Sequence, residues 1–185
     1  AVPGPIPGPI PGRFSGGGAG SGVVKLAGAR AAAFCARPDG RLAGALLHGP
    51  DGGLLAIRRR ELVAALTEGD DLRLTRLEPA AALKDPAGID AALKARGFFP
   101  GRRVVLIEGA RDGLATVLAP MLAEAAPEDA FLVLTAEGLA ARSGLRRLFE
   151  GAPGLAALGL YPEAPGTAEL GAMLDGLEPS EQLHA

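Results

Sequence analysis

The chain has 185 residues, 19 basic and 21 acidic side chains and a formal net charge of -2. Such balance excludes a dominant nucleic-acid-binding surface, and an aromatic content of 4% without Trp excludes a stacking platform for single strands. The length suits one domain, with room for a fragment of a second, and buries enough surface to fold without staples.

The opening AVPGPIPGPIPGRFSGGGAGSG has no apolar period and predicts a flexible Pro/Gly-rich tail over residues 1–22, natural or appended. It lacks the basic start and long apolar core of a signal peptide. Its GGGAGSG has a dinucleotide-like glycine spacing, but no strand precedes it. A domain is expected over residues 23–162. VVKL is a short strand candidate, and GARAAAFCARPDG a short helix stopped by Pro38 and Gly40. Cys35, the single cysteine, sits among apolar neighbours there. It suits a buried, inert thiol and a reducing cytosol, and rules out an intrachain disulfide.

RLAGALLHG ends in a buried strand at Ala43 to Leu47. DGGLLAIRRRELVAALTEG follows as a helix, with Leu55, Leu62 and Leu66 on one face and Gly69 at its end. DLRLTRL alternates with period two, as an edge strand does. DPAGIDAALKARG is a helix with Pro86 in its first turn and Gly97 as its stop. RVVLIEG reads as a strand of a parallel sheet. DGLATVLAPMLAEAAP is a helix that Pro120 kinks or divides. DAFLVLTAE is another buried strand, ARSGLRRLFEG a basic helix and GLAALGLYP a last strand. After Pro162 one or two further helices are expected, the start of a truncated second domain over residues 163–185. The strand–helix repeats predict an α/β fold with a five-stranded, parallel, doubly wound sheet. No run of about 18 apolar residues marks a membrane span.

HGPDGGLLAIRRREL has the layout of a phosphate-cradling loop: an apolar strand, glycines, then a helix. A P-loop reads G-x-x-x-x-G-K-[ST], its backbone N–H groups holding phosphates, its Lys neutralising charge and its hydroxyl holding Mg²⁺. Counting from Gly49, those last three positions fall on Leu54, Leu55 and Ala56. Gly49, Gly52 and Gly53 are thus a degenerate nucleotide loop, able at most to attract an anion weakly. The metal carboxylate expected at the end of the third core strand is Glu108, followed by Gly109 where a second acid would complete a catalytic pair. Glu108 therefore reads as a structural or solvated residue, and no cofactor or metal is expected.

Phe98 and Phe99 stand in a loop between the helix stop at Gly97 and a Pro100-Gly101 turn. Two adjacent aromatics at a loop tip do not easily both face a core. Each buries about 150–250 Å² when docked, about 4–6 kcal/mol gross before association costs. Arg58, Arg59 and Arg60 fan out at about 100° steps and predict a solvated helix face. Arg142, Arg146 and Arg147 lie near one helical face and are candidates for a subunit or DNA-phosphate contact. His48 has no triad partners around it. Asp70 and Asp71 resemble a receiver-domain acid pair but precede a strand rather than follow the first one.

The text from Val24 to Leu177, with its KLAGARAAAFCARPDGRLAGALLHGPDGGLLAIRRRELVAAL, GFFPGRRVVLIEGARDGL and TAEGLAARSGLRRLFE segments, resembles the delta subunits of bacterial DNA polymerase III, most of all alphaproteobacterial ones. The resemblance implies an AAA+-type fold that neither binds nor hydrolyses ATP. It implies a cytoplasmic role in DNA replication as part of a DNA-directed DNA polymerase holoenzyme. The partners it implies are the sliding clamp (the beta subunit), the other clamp-loader subunits and, indirectly, primed DNA. The family's clamp-binding element is a hydrophobic pair just before the third core strand, which falls on Phe98 and Phe99. The serine-arginine-cysteine trio of some clamp-loader subunits is missing, so no arginine finger is transferred. Two other readings stand beside this one: a Rossmann-like nucleotide-binding enzyme domain and a receiver-type signalling domain.

Overall fold

The computed structural model describes residues 24–98 and 100–163; the expected tail, Phe99 and all but the first residue of the expected second domain lie outside them. Six strands form one parallel sheet: β1 (Val24–Ala27), β2 (Gly44–Gly49), β3 (Leu74–Leu77), β4 (Val104–Ile107), β5 (Phe131–Glu137) and β6 (Leu155–Gly159), in the order β1-β6-β2-β5-β4-β3. The sheet is thus one strand larger than expected. The short VKLA segment pairs along all four residues with β6, which extends the sheet beyond the five strands of the repeat.

Six α-helices connect them: α1 (Gly28–Ala36), α2 (Gly52–Thr67), α3 (Pro79–Lys84), α4 (Pro86–Lys94), α5 (Leu114–Ala123) and α6 (Gly144–Gly151). Three of the starts carry a side-chain cap. Asp51 caps α2, Asp85 caps α4 with Pro86 in its first turn, and Ser143 caps α6. Helix α3, unforeseen in the sequence, starts at Pro79 and runs to Asp85, which ends it and caps the next helix. Pro120 lies inside α5, which continues through it to Ala123.

The sheet divides the core in two. Leu46, Val105, Ile107, Leu132, Leu134, Leu155 and Ala157 pack against α3 to α6, while Ala45, Leu47, Val104, Leu106, Phe131, Val133, Ala156 and Leu158 face α1 and α2. That alternation along apolar strands is the two-sided burial of a parallel sheet. Crossovers that move along the sheet from β3 to β4, β5 and β6 pass over the first face. Those from β1 to β2 and from β2 to β3 move the other way, over the second face. All five therefore share one hand. Neighbouring strands β2 and β5 send their helices to opposite faces, which opens a crevice at their carboxyl ends, where ligands of open α/β sheets bind.

Candidate functional site

Two ends of the sheet carry the residues singled out above. At the carboxyl end, β2 gives way to α2 after only Pro50 and Asp51. A phosphate-wrapping loop has no length to form. The glycines have other employment. A Cβ on Gly49 would overlap the Leu160 carbonyl, because the chain leaving β6 runs against β2 with Leu160 N donating to the His48 carbonyl at 2.8 Å. Gly52 lies against the Glu137 carboxylate, which a side chain there would approach to 2.9 Å. Gly53 N and Leu54 N both donate to Asp51 Oδ1, at 2.9 and 3.0 Å. The helix N-terminus, the one anion-attracting feature of the degenerate loop, is thus taken by the chain's own carboxylate.

The crevice proper is a cavity of about 200 Å³ lined by Gly52, Leu55, Ala56, Arg59, Glu108, Gly109, Thr135 and Glu137. Arg59 Nη1 donates to Glu108 Oε1, and Arg76 Nη1 to Glu108 Oε2 at 3.1 Å. Arg59 is 13% exposed as a side chain, so the solvated face expected for the arginine run fails at this position. Arg58 instead pairs with Glu61 at 2.8 Å, and Arg60 is exposed. The sequence did hold the signal: Arg59 occupies the same stripe as Leu55, Leu62 and Leu66, at helical steps of four, three and four. Burial, then the charges of Arg76 and Arg60, lower the Arg59 pKa from its ordinary value. Glu108 thus has an arginine on each carboxylate oxygen. Among the described residues no group of three or more His, Cys, Asp or Glu is arranged to hold a metal ion.

On the other side of α2 a larger cavity, about 560 Å³, opens between α1 and α2, lined by Gly28, Ala32, Leu54, Ile57, Leu160 and Tyr161 among others. Its charged rim residues are Asp51, Glu163 and Arg58, the last already paired. Two acids at the mouth repel a polyphosphate.

At the amino end of the sheet, residues 95–103 link α4 to β4. Phe98 lies in this loop with its whole surface exposed (101%), the most exposed large apolar side chain described. The ring gains no burial within the isolated domain, as is also largely true of Leu72, 85% exposed ahead of β3. Phe99, its candidate companion, lies outside the described residues.

The remaining candidates are scattered. Arg142 and Arg147 are exposed, whereas Arg146 is 15% exposed and its Nε donates to Glu150 at 2.6 Å. The hydrogen bond of Glu150, with its charge, holds Arg146 protonated more firmly than usual, with burial opposing. Glu150 also meets Lys25 at 3.4 Å; burial works against its charge, yet Arg146 and Lys25 together hold it below the usual carboxylate range. His48 is buried beside this group, its ring 6.3 Å from that of Tyr161. Burial first, then the Arg146 charge, lowers its pKa. Asp70 caps a 3₁₀ turn (Asp71–Arg73) before β3 and meets Arg73 at 3.3 Å, which accounts for it without receiver chemistry. Cys35 is fully buried, its thiol pushed up to about 12 by burial. Among the described residues no helix is long and apolar enough to cross a membrane. The chain matches no protein-family model and no curated protein.

Proposed function

We propose that this chain is a noncatalytic clamp-loader subunit of the delta type, built on an AAA+-type core, which grips the ring-shaped sliding clamp and helps open it for loading onto primed DNA. The observation that carries the reading is Phe98: a fully exposed aromatic in the loop that enters β4, where the resemblance places the clamp-binding pair. The pairing of the crevice's polar groups within the chain supports the noncatalytic half. A carboxylate caps the helix that would meet phosphate, and arginines hold the carboxylate that would meet magnesium. The layout supports a P-loop-type ancestry, since the glycine loop after β2 and the acid after β4 face one crevice across the single intervening strand β5.

Docking one phenylalanine buries about 150–250 Å², of which hot-spot truncations return about 2–4 kcal/mol. Surface plasmon resonance of the full chain against its cognate sliding clamp tests this. Binding is expected for the wild type, with a loss of about thirtyfold or more for Phe98→Ala, alone or with Phe99→Ala. A wild type that ignores the clamp, or a Phe98→Ala protein that binds it equally well, overturns the proposal.

The 560 Å³ cavity between α1 and α2 favours a second reading, a Rossmann-like domain holding a small molecule, because its size is that of ordinary ligand pockets. Its acidic rim disfavours nucleotides. Micromolar affinity for Mg-ATP in equilibrium dialysis, despite that rim, would favour the nucleotide-binding form of this second reading over the first.

A further inference from the structure

We infer that Arg102 is a positioning residue for Phe98, fixing the base of its loop so that the ring is presented to a partner. This rests on the reading of Phe98 as a docking residue. Arginines stand at both ends of the 95–103 loop. On the helix side, Arg103 donates to the carbonyls of Ala92 and Leu93, at 3.3 and 3.2 Å from Nη2, closing the last turn of α4. On the turn side, the Arg73 guanidinium lies against Gly101, whose φ of 122° and missing Cβ both suit glycine alone.

Between them Arg102 reaches furthest. Its Nη1 donates to Gly40 O at 2.7 Å and Pro127 O at 2.9 Å, its Nη2 to Leu42 O at 3.0 Å, and its guanidinium stands 5.7 Å over the Phe131 ring. Gly40 and Leu42 lie ahead of β2, and Pro127 ahead of β5. One planar group therefore ties together the loops that enter three strands of the sheet.

Arg102 acts through backbone carbonyls rather than through an ion pair. Arg102 has no carboxylate partner within ion-pair distance among the described residues, and its Nε is buried without an acceptor. Burial lowers its pKa, with the more distant Asp129 charge acting the other way. What the guanidinium supplies is geometry: a rigid fork holding three carbonyls at fixed places. Binding through an exposed ring on a loose loop loses affinity to the ordering of that loop. A fixed base removes that cost in advance.

Clamp binding, amide hydrogen exchange over residues 95–101 and melting temperature, measured on the full chain, test this together. Arg102→Gln keeps part of the stem but cannot span three carbonyls. It should weaken clamp binding about tenfold, the effect of ordering one or two side chains and a short backbone stretch. Exchange at the loop amides should quicken, and Arg102→Lys should recover part of the affinity. In a Phe98→Leu background, which keeps a weaker anchor, the same change should cost less, because both residues act through one contact. Equal penalties in both backgrounds, unchanged loop exchange, or a loss that tracks only a fallen melting temperature would overturn the inference. If Arg102→Gln does not fold, Arg102→Lys carries the same measurements. The two claims fail separately: Phe98→Ala without effect sinks the docking reading, whereas Phe98→Ala with effect and Arg102→Gln without sinks only this one.

Discussion

Glu108→Gln separates a filled crevice from a waiting metal site. The wild-type carboxylate accepts from Arg59 on one oxygen and from Arg76 on the other. Glutamine has one carbonyl oxygen and an amide that is itself a donor, so it can serve one arginine and must turn its NH₂ on the second. A charge-assisted hydrogen bond contributes about 1.5–3 kcal/mol when sheltered, and an exposed ion pair about 0–1. Arg59 is sheltered at 13% exposure, but Glu108 is 47% exposed and Arg76 is 61% exposed, so the Arg76 share is largely screened. The sum expected is about 1–2 kcal/mol, most of it from leaving Arg59 beside Arg60 and Arg76 without its counter-charge. At about 2–4 °C per kcal/mol for a chain of this size, the melting temperature should fall by roughly 2–8 °C. Scanning calorimetry reads that directly. Arg59→Met, which removes the buried charge, should recover part of the loss in the double variant. Were Glu108 held ready for a cation, neutralising it would relieve repulsion, and the variant would melt at the wild-type temperature or above; that result refutes the crevice as described.

The same contacts set four further outcomes. Equilibrium dialysis of the wild type with Mg-ATP should give no affinity tighter than about 1 mM, because Asp51 already holds the amides a phosphate would use. Gly49→Ala should cost about 1–3 kcal/mol or prevent folding, read by urea titration, since its methyl meets a backbone carbonyl that cannot turn aside. Cys35, raised to about 12, should react with a disulfide reagent at pH 8 only at the rate of unfolding, whereas a thiol labelled at once would contradict its burial. His48 is depressed below its unfolded value, so the unfolded chain takes up its proton first. Stability should therefore fall from about pH 6.5 downward until the folded pKa is passed, while Glu150, a depressed carboxylate, begins to cost stability only below about pH 4.5. His48→Gln should remove the upper of these two losses in urea titrations at pH 7.5 and 5.5.

Most of the fold is written locally. Four strands announce themselves as apolar runs because both sheet faces are covered, and the period-two DLRLTRL marks the edge position that β3 takes. The sixth strand was harder to count. VKLA has two half-buried and two exposed positions, and its membership depends on β6, more than a hundred residues away in sequence. Helix α3 is six residues long, too short to display a period. For the site, the missing lysine and hydroxyl were plain from spacing. What filled their place was not. An arginine triplet reads as a solvated face unless the stripe Leu55-Arg59-Leu62-Leu66 is counted, and the acid it meets lies 49 residues on. Arg102 is less legible still: its three acceptors are backbone carbonyls, and carbonyls leave no mark on the residue text.

The positions of the two sites have a mechanistic consequence. The filled crevice stands where β2, β4 and β5 end, and Phe98 stands where β4 begins, so the apolar strand Val104–Ile107 separates them. In a working nucleotide site, binding energy is transmitted by rearranging the acid and the loop around the phosphates. Here Asp51 and Arg59 already satisfy those groups, so a ligand must first break the cap and the ion pair to rearrange them. If Phe98 grips a ring, its hold is constant in this domain, and any release must come from another part of the assembly pulling on or covering the loop. Deleting the crevice network by Glu108→Gln should then leave clamp affinity within twofold of wild type below the melting transition, as expected for independent, well-separated sites. A larger change would show that the two ends of the sheet are coupled after all.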